Sequence, residues 1–301
     1  MRKFYKSHKL DNVCYDIRGP VVERANKMIA DGMDIMQLNT GNPPAFGLNA
    51  PDEVIRDIRV NLKDAEGYCH SKGIFPARKA IVQYYQTKGL FGLDEEHVYI
   101  GNGSSEMVSI CVQALMDEGD ELLVPAPDYP LWTASAFLSG GKAVHYICDE
   151  ENNWYPDIED IKSKITDKTK AIVVINPNNP TGAIYPKELL EQIVKLAVEH
   201  DLIIFADEIY DKIIYDDVPY TPMSTLTDET LVITFNGLSK SHRIPGFRVG
   251  WMIITGNTKD TADYLEGIDM LASTRLCANV PAQYAIQTSL GGYQSIDDLT
   301  K

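Results

Sequence analysis

An α/β fold with a mostly parallel sheet follows from three features of the sequence. Short β-prone runs without polar residues recur along the chain, among them AIVVI at 171–175 and LIIF at 202–205. Amphipathic stretches of helical length separate most of the runs, notably 104–116 and 186–200. Polar loops rich in Gly, Pro, Ser or Asn follow the strands. Runs that lack strict alternation suit strands covered on both faces, and strand–helix alternation implies helices packed on a parallel sheet.

Seven strands are expected, at His97–Gly101, Glu121–Val124, Ala143–Ile147, Lys170–Ile175, Leu202–Ala206, Leu231–Phe235 and Val249–Thr255. Before them, Asp16–Asp31 can form a helix with Val21, Val22, Ala25, Met28 and Ile29 on one side. Ile35–Leu38 is a brief extended run, and residues 1 to about 45 read as an arm rather than a domain. Pro51–Leu62 opens a further helix with proline at its favoured start, and Phe75–Lys88 is amphipathic.

Composition narrows the classes of function. A chain of 301 residues, 44% hydrophobic, can bury a large core in one domain or two. Its 28 Lys+Arg against 43 Asp+Glu leave a net charge of −15, which argues against a nucleic-acid surface or an anionic membrane. A local cup of donors can still hold a small anion. The five cysteines (14, 69, 111, 148 and 277) form no CxxC pair and suit reduced thiols in a cytoplasmic protein. The six histidines are dispersed without HExxH, so no metal is expected. No apolar run reaches transmembrane length, and MRKFYKSHKLDNV lacks a signal-peptide core.

Ligands of parallel sheets sit at the carboxyl ends of the strands, so those loops carry the candidates. In Gly101-Asn102-Gly103-Ser104-Ser105-Glu106, backbone N–H groups at a helix start and the hydroxyls of Ser104 and Ser105 can cup a phosphate, or simply cap the helix. Three prolines stiffen Pro125–Trp132, presenting Tyr129 either to stack on a flat ring or to pack beneath the loop. Asn176-Pro177-Asn178-Asn179-Pro180-Thr181-Gly182 pins amide donors between prolines and is overbuilt for a plain turn. Asp207 in ADEIY is the first polar residue beyond a buried strand, where a carboxylate needs a cation, a donor, or a helix start to cap. Lys240 in SKSHRIPGFR stands at a strand end with Arg243 and Arg248 following. Desolvation and positive neighbours would lower its pKa and free a nucleophilic amine, although taken alone it reads as an ordinary solvated loop lysine. Upstream, Gly41 in the rigid turn Asn39-Thr40-Gly41-Asn42-Pro43-Pro44 would let backbone approach a ligand closely, although the segment alone reads as a plain turn.

In order, residue type and spacing, the Gly/Ser cup, Tyr129, Asn179, Asp207, Lys240 and Arg248 resemble the pyridoxal-phosphate-dependent aminotransferases of fold type I, class I and II. The resemblance runs across essentially the whole chain. It is strongest to the bacterial glutamate–pyruvate (alanine) aminotransferases, through FNGLSK, GFRVGWM and GGYQSI. It implies a homodimer with pyridoxal phosphate as cofactor and amino acids and 2-oxo acids as substrates. Lys240 would hold the cofactor as a Schiff base and shuttle the proton at the substrate Cα. Asp207 would pair with the protonated ring nitrogen, and Asn179 and Tyr210 would bond the ring's phenolic oxygen. Tyr129 would stack on the ring. Ser104, Ser105, Ser239 and Arg248 would hold the phosphate, and Tyr68 would reach the neighbouring subunit's phosphate. Gly41 and Asn179 would contact the substrate.

Two departures stand out. Many relatives place Ser or Thr three residues before the lysine, where this chain has Gly237, which leaves the share of Ser239 open. The family's second arginine, which binds the substrate α-carboxylate, lies in a carboxyl-terminal small domain, and Arg243 and Arg275 stand in the wrong context to replace it. Residues 1–45 are accordingly expected to form an arm and part of a small domain, and 46–301 a cofactor-binding large domain. Most of the small domain is expected to be missing and activity to be poor. Aromatic aminotransferase and carbon–sulfur lyase are alternative enzymes on the same scaffold. A non-catalytic ligand-sensing domain is the alternative of another class, although the basic DNA-binding module of such regulators has no counterpart here.

Overall fold

The computed structural model describes residues 2–13, 19–38, 40–293 and 295–300. Its strands are β1 (Val98–Asn102), β2 (Glu121–Ala126), β3 (Lys142–Asp149), β4 (Tyr155–Pro156), β5 (Thr169–Ile175), β6 (Ile203–Asp207), β7 (Leu231–Gly237) and β8 (Val249–Gly256). They form one sheet in the order β1-β8-β7-β6-β5-β2-β3-β4. The pairs β3–β2, β2–β5, β5–β6 and β6–β7 are parallel. β8 runs antiparallel to both β7 and β1, so β1 points the same way as β7. The carboxyl ends of β1, β2, β5, β6 and β7 therefore share one edge with the amino end of β8. All seven expected strands are present with small shifts of their ends. The two-residue β4, antiparallel to β3, adds an eighth that is too short to register as a β-prone run.

The helices are α1 (Pro20–Ala30), α2 (Asp52–Val60), α3 (Phe75–Thr87), α4 (Ser104–Leu115), α5 (Leu131–Leu138), α6 (Ile158–Lys164), α7 (Lys187–Glu199), α8 (Ala262–Thr274), α9 (Val280–Gln283) and α10 (Ala285–Gly291). The expected first helix is present from Pro20, while its residues 16–18, like Cys14 and Asn39, lie outside the described residues. Helices such as α6, α9 and α10 span too few turns for a 3.6-residue period to show in the sequence.

Successive strand residues point to opposite faces, and both faces are buried. Val124, Val173, Phe205, Ile233 and Met252 pack beneath α4, α5 and α8. Ile172, Val174, Ile204 and Val232 face α6 and α7, and Ile100, Trp251 and Ile253 face α2, α3, α9 and α10. Burying each such side chain contributes roughly 1.5–3 kcal/mol, so this sandwich holds the ligand edge of the sheet in place.

Candidate active site

A cavity of about 120 Å3 opens at the carboxyl edge of the sheet and gathers Ser104, Ser105, Tyr129, Asn179, Asp207, Tyr210, Ser239, Lys240 and Arg248. These residues come from the ends of five strands and from the start of β8. The apolar part of the wall, Leu131, Ile175, Ile209 and Pro245, is missing from the sequence reading because apolar lining carries no motif.

One part of the cavity is built for an anion. Gly103 precedes α4 with φ +85°, leaving Ser104 and Ser105 in the first turn, where N–H groups lack helical partners. Across the sheet edge, a Cβ on Gly250 would meet Ser104 N at 2.1 Å, so only glycine lets β8 approach the helix start. Arg248 brings its guanidinium over the same loop, donating from Nη1 to Pro245 O at 3.0 Å and from Nη2 to Asn102 O at 3.5 Å.

Another part holds a carboxylate that forms no ion pair among the described residues. Asp207 ends β6 and is buried. Its Oδ2 accepts from Trp132 Nε1 at 3.1 Å, and its Oδ1 from Ile209 N at 3.4 Å. Burial raises its pKa above the ordinary carboxylate value, opposed by the Trp132 and Ile209 donors and by the charge of Lys240. Trp132 in turn stacks on Phe205, with centroids 5.7 Å apart, which fixes the indole N–H toward the carboxylate. An indole N–H seeks an acceptor when buried, and that is the signal in PDYPLW that could have marked Trp132 in advance.

Lys240 lies between these parts. Burial lowers its pKa, the nearby Arg248 charge lowers it further, and Asp207 acts in the opposite sense. Its Nζ stands 5.7 Å from the ring centroid of Tyr210, whose own pKa is raised by burial and by Asp207. Gly41 lies beside Lys240: a Cβ on it would sit 3.4 Å from Nζ. The asparagine loop divides its labour. Asn176 Oδ1 accepts from Tyr185 N and Asn178 Oδ1 from Thr181 Oγ1, both at 2.9 Å, so these two side chains build the turn while Asn179 faces the cavity.

Three residues stand elsewhere. Tyr68 is 83% exposed and does not line the cavity. Arg243 donates to Asn49 O and Ser295 Oγ. Arg275 donates to Ser71 O and Ile100 O and pairs with Glu106. Neither arginine is available to a ligand at the cavity.

Residues 33–301 match the family model described as aminotransferase class I and II. The chain is 60% identical over 298 residues to the glutamate-pyruvate aminotransferase AlaA of Haemophilus influenzae, covering 99% of this chain and 74% of that protein. The chain is a class I and II aminotransferase. This aminotransferase is also 53% identical to the alanine aminotransferase of Mycobacterium bovis, covering 99% of this chain and 70% of that protein. It superposes with a TM-score of 0.97 on the crystal structure of an aminotransferase from Escherichia coli, at 58% identity, covering 99% of this chain and 74% of that one. Enzymes of the family depend on pyridoxal phosphate. The residues of the cavity fit that group, since an anion cup suits the phosphate and a buried carboxylate with no ion pair among the described residues suits the ring nitrogen.

Proposed function

We propose that this aminotransferase moves an amino group between alanine or glutamate and the 2-oxo acids 2-oxoglutarate and pyruvate. The observation that carries the reading is the meeting of Lys240, Asp207 and Arg248 in one cavity. The choice of substrates is supported by the relatives at 60% and 53% identity, named for glutamate–pyruvate and alanine transamination. When bound, pyridoxal phosphate supplies an aldehyde that captures amines and a ring that accepts the electron pair released at the substrate Cα.

Ser104, Ser105, Ser239 and Arg248 would hold the phosphate through backbone N–H, hydroxyl and guanidinium donors. Tyr129 would cover the ring. Asp207 would pair with the ring nitrogen and keep it protonated, and that cation would favour the ionised carboxylate that burial disfavours. Asn179 and Tyr210 would donate to the phenolic oxygen. Lys240, deprotonated more readily than an ordinary lysine, would hold the cofactor through its amine and, when free of it, would carry the proton at the substrate Cα. Gly41 offers backbone to the substrate carboxylate from a neighbouring cleft, and Asn179 opens on a second cleft of about 600 Å3.

Tyr68 reaches the phosphate site of the neighbouring subunit in a homodimer, which its exposed position supports. Residues 1–45 act as an arm and part of a small domain and 46–301 as the cofactor-binding domain. The protein works in the cytoplasm. No helix among the described residues is long and apolar enough to cross a membrane.

Borohydride reduction of the cofactor-loaded protein followed by peptide mapping tests the reading. The pyridoxyl group should appear on Lys240, and pyruvate should form from alanine and 2-oxoglutarate. A label confined to another lysine would sink the assignment. Ammonia release from a substrate without an oxo acid would redirect it to a lyase.

A further inference from the structure

The turn that ends β6 has a second charged side. Asp207 and Tyr210 line the cavity, whereas Glu208 and Asp211, 2% and 6% exposed, enter the opposite side of the turn. Glu208 N donates to Phe235 O at 2.9 Å and Asp211 N to Glu208 O at 3.0 Å, so the two sides of this short turn move together. Asp211 Oδ2 accepts the Tyr84 hydroxyl at 2.6 Å and forms an ion pair with Lys88 Nζ. The Lys88 ammonium stands 4.7, 5.6 and 5.4 Å from the ring centroids of Tyr84, Tyr85 and Tyr220. Three π faces around one partly buried cation stabilise it and restrict its position. Glu208 Oε1 accepts from Met223 N at 2.8 Å.

A buried ion pair seldom stabilises a fold more than apolar side chains of the same volume would, because desolvation offsets the attraction. A firm, directional anchor is what such a pair can add at this place. Its position, one peptide unit behind Asp207, gives that anchor an effect in the cavity. We propose that Lys88, Asp211 and Glu208 are positioning residues for transamination. Their caged cluster clamps the far side of the turn and sets the depth at which Asp207 and Tyr210 stand in the cavity. The proposal rests on the reading of that cavity as the cofactor site.

The clamp responds to pH. Burial pushes the pKa of Glu208 up to about 7, with the Lys88 charge and the Met223 N–H opposing and Asp211 adding to the rise. Tyr85 and Tyr220 also face Glu208, and Lys212 lies beyond, its Nζ 5.1 Å from the Tyr84 ring centroid. Protonation of Glu208 removes both its attraction to Lys88 and its repulsion of Asp211, so the charge balance of the clamp changes across that pKa.

Trp132 supplies a readout that needs no cofactor, because its indole N–H is bonded to Asp207. In the 15N-labelled protein the Trp132 indole resonance should show, beside the step of its own partner Asp207, a second step near 7, the value to which Glu208 is pushed, and Glu208→Gln should remove that second step. Lys88→Met should shift the resonance, weaken pyridoxal-phosphate affinity roughly tenfold or more, and lower the melting temperature. Lys88→Met/Asp211→Asn removes both charges and should recover the melting temperature without recovering the resonance or the affinity. A purely stabilising cluster would recover all three, and that result overturns the proposal. So does a titration curve that is the same in Glu208→Gln as in the wild type, a variant that keeps the acceptor for Met223 and decides the matter even if Lys88→Met fails to fold. A wild-type protein that shows the titration but takes up no cofactor overturns the reading of the cavity, and with it the role of the clamp in the reaction.

Discussion

A Cβ on Gly103 would stand 2.2 Å from Nη2 of Arg248, and Gly103 holds φ at +85°. The guanidinium thus occupies the volume that any side chain at position 103 would need, and the backbone there disfavours L residues as well. Gly103→Ala should therefore displace the arginine from the anion cup. Cofactor affinity in an absorbance titration is expected to fall roughly tenfold or more, since a charge-assisted contact is lost. Unchanged affinity would mean that Arg248 holds the phosphate from some other seat.

Asp207→Asn separates binding from chemistry. The anion cup is untouched, so pyridoxal phosphate should still bind within a few-fold of the wild type, while the charge that keeps the ring nitrogen protonated is gone. Turnover should drop on the order of a hundredfold or more. Retention of near-normal turnover would remove Asp207 from the mechanism.

The amine of Lys240 should answer in opposite directions to its two charged neighbours. Arg248 lowers its pKa and Asp207 raises it, on top of the larger lowering by burial. Arg248→Met should thus move the titration up toward the ordinary lysine value, and Asp207→Asn should move it further down. The pH dependence of acylation at Lys240 in cofactor-free protein, followed by peptide mapping, measures both. In the wild type the reaction should reach its plateau at lower pH than for an exposed lysine, because the neutral amine is the reactive form. Shifts of the same sign in the two variants would contradict the electrostatic account.

Tyr68 offers a test of assembly. Its ring is 83% exposed, although a phenol on a loop beside the core would ordinarily find cover. In a dimer that joins Tyr68 to the partner's phosphate, Tyr68→Phe should weaken cofactor binding several-fold without lowering the melting temperature of the apo-protein. Light scattering that reveals a fully active monomer would refute the shared site.

Much of the cavity was readable in advance because it is made of strand ends. β-prone runs mark the strands, and a parallel sheet sends their carboxyl ends to one edge. Asp207, Asn179 and Lys240 could therefore be grouped although 61 positions separate the outermost two. Residue type then narrowed the chemistry, since a lysine, a buried carboxylate and an arginine are each costly in such a place without a ligand.

Other features depend on which face of an element meets which neighbour, and only the tertiary structure decided them. The sequence does not say which asparagine of the NPNNPTG loop builds the turn; the acceptor roles of Asn176 and Asn178 do. The bond of Trp132 to Asp207 joins residues 75 positions apart and rests on the stacking against Phe205. The caged Lys88 is invisible in the chain because its partners come from α3, from the turn after β6 and from the segment around Tyr220. Local periodicity and residue type determined the sheet, its ligand edge and the kinds of groups along it. Side-chain packing between distant segments decided their directions, their charge states and how firmly each is held, because those depend on burial and on partners that no local pattern records.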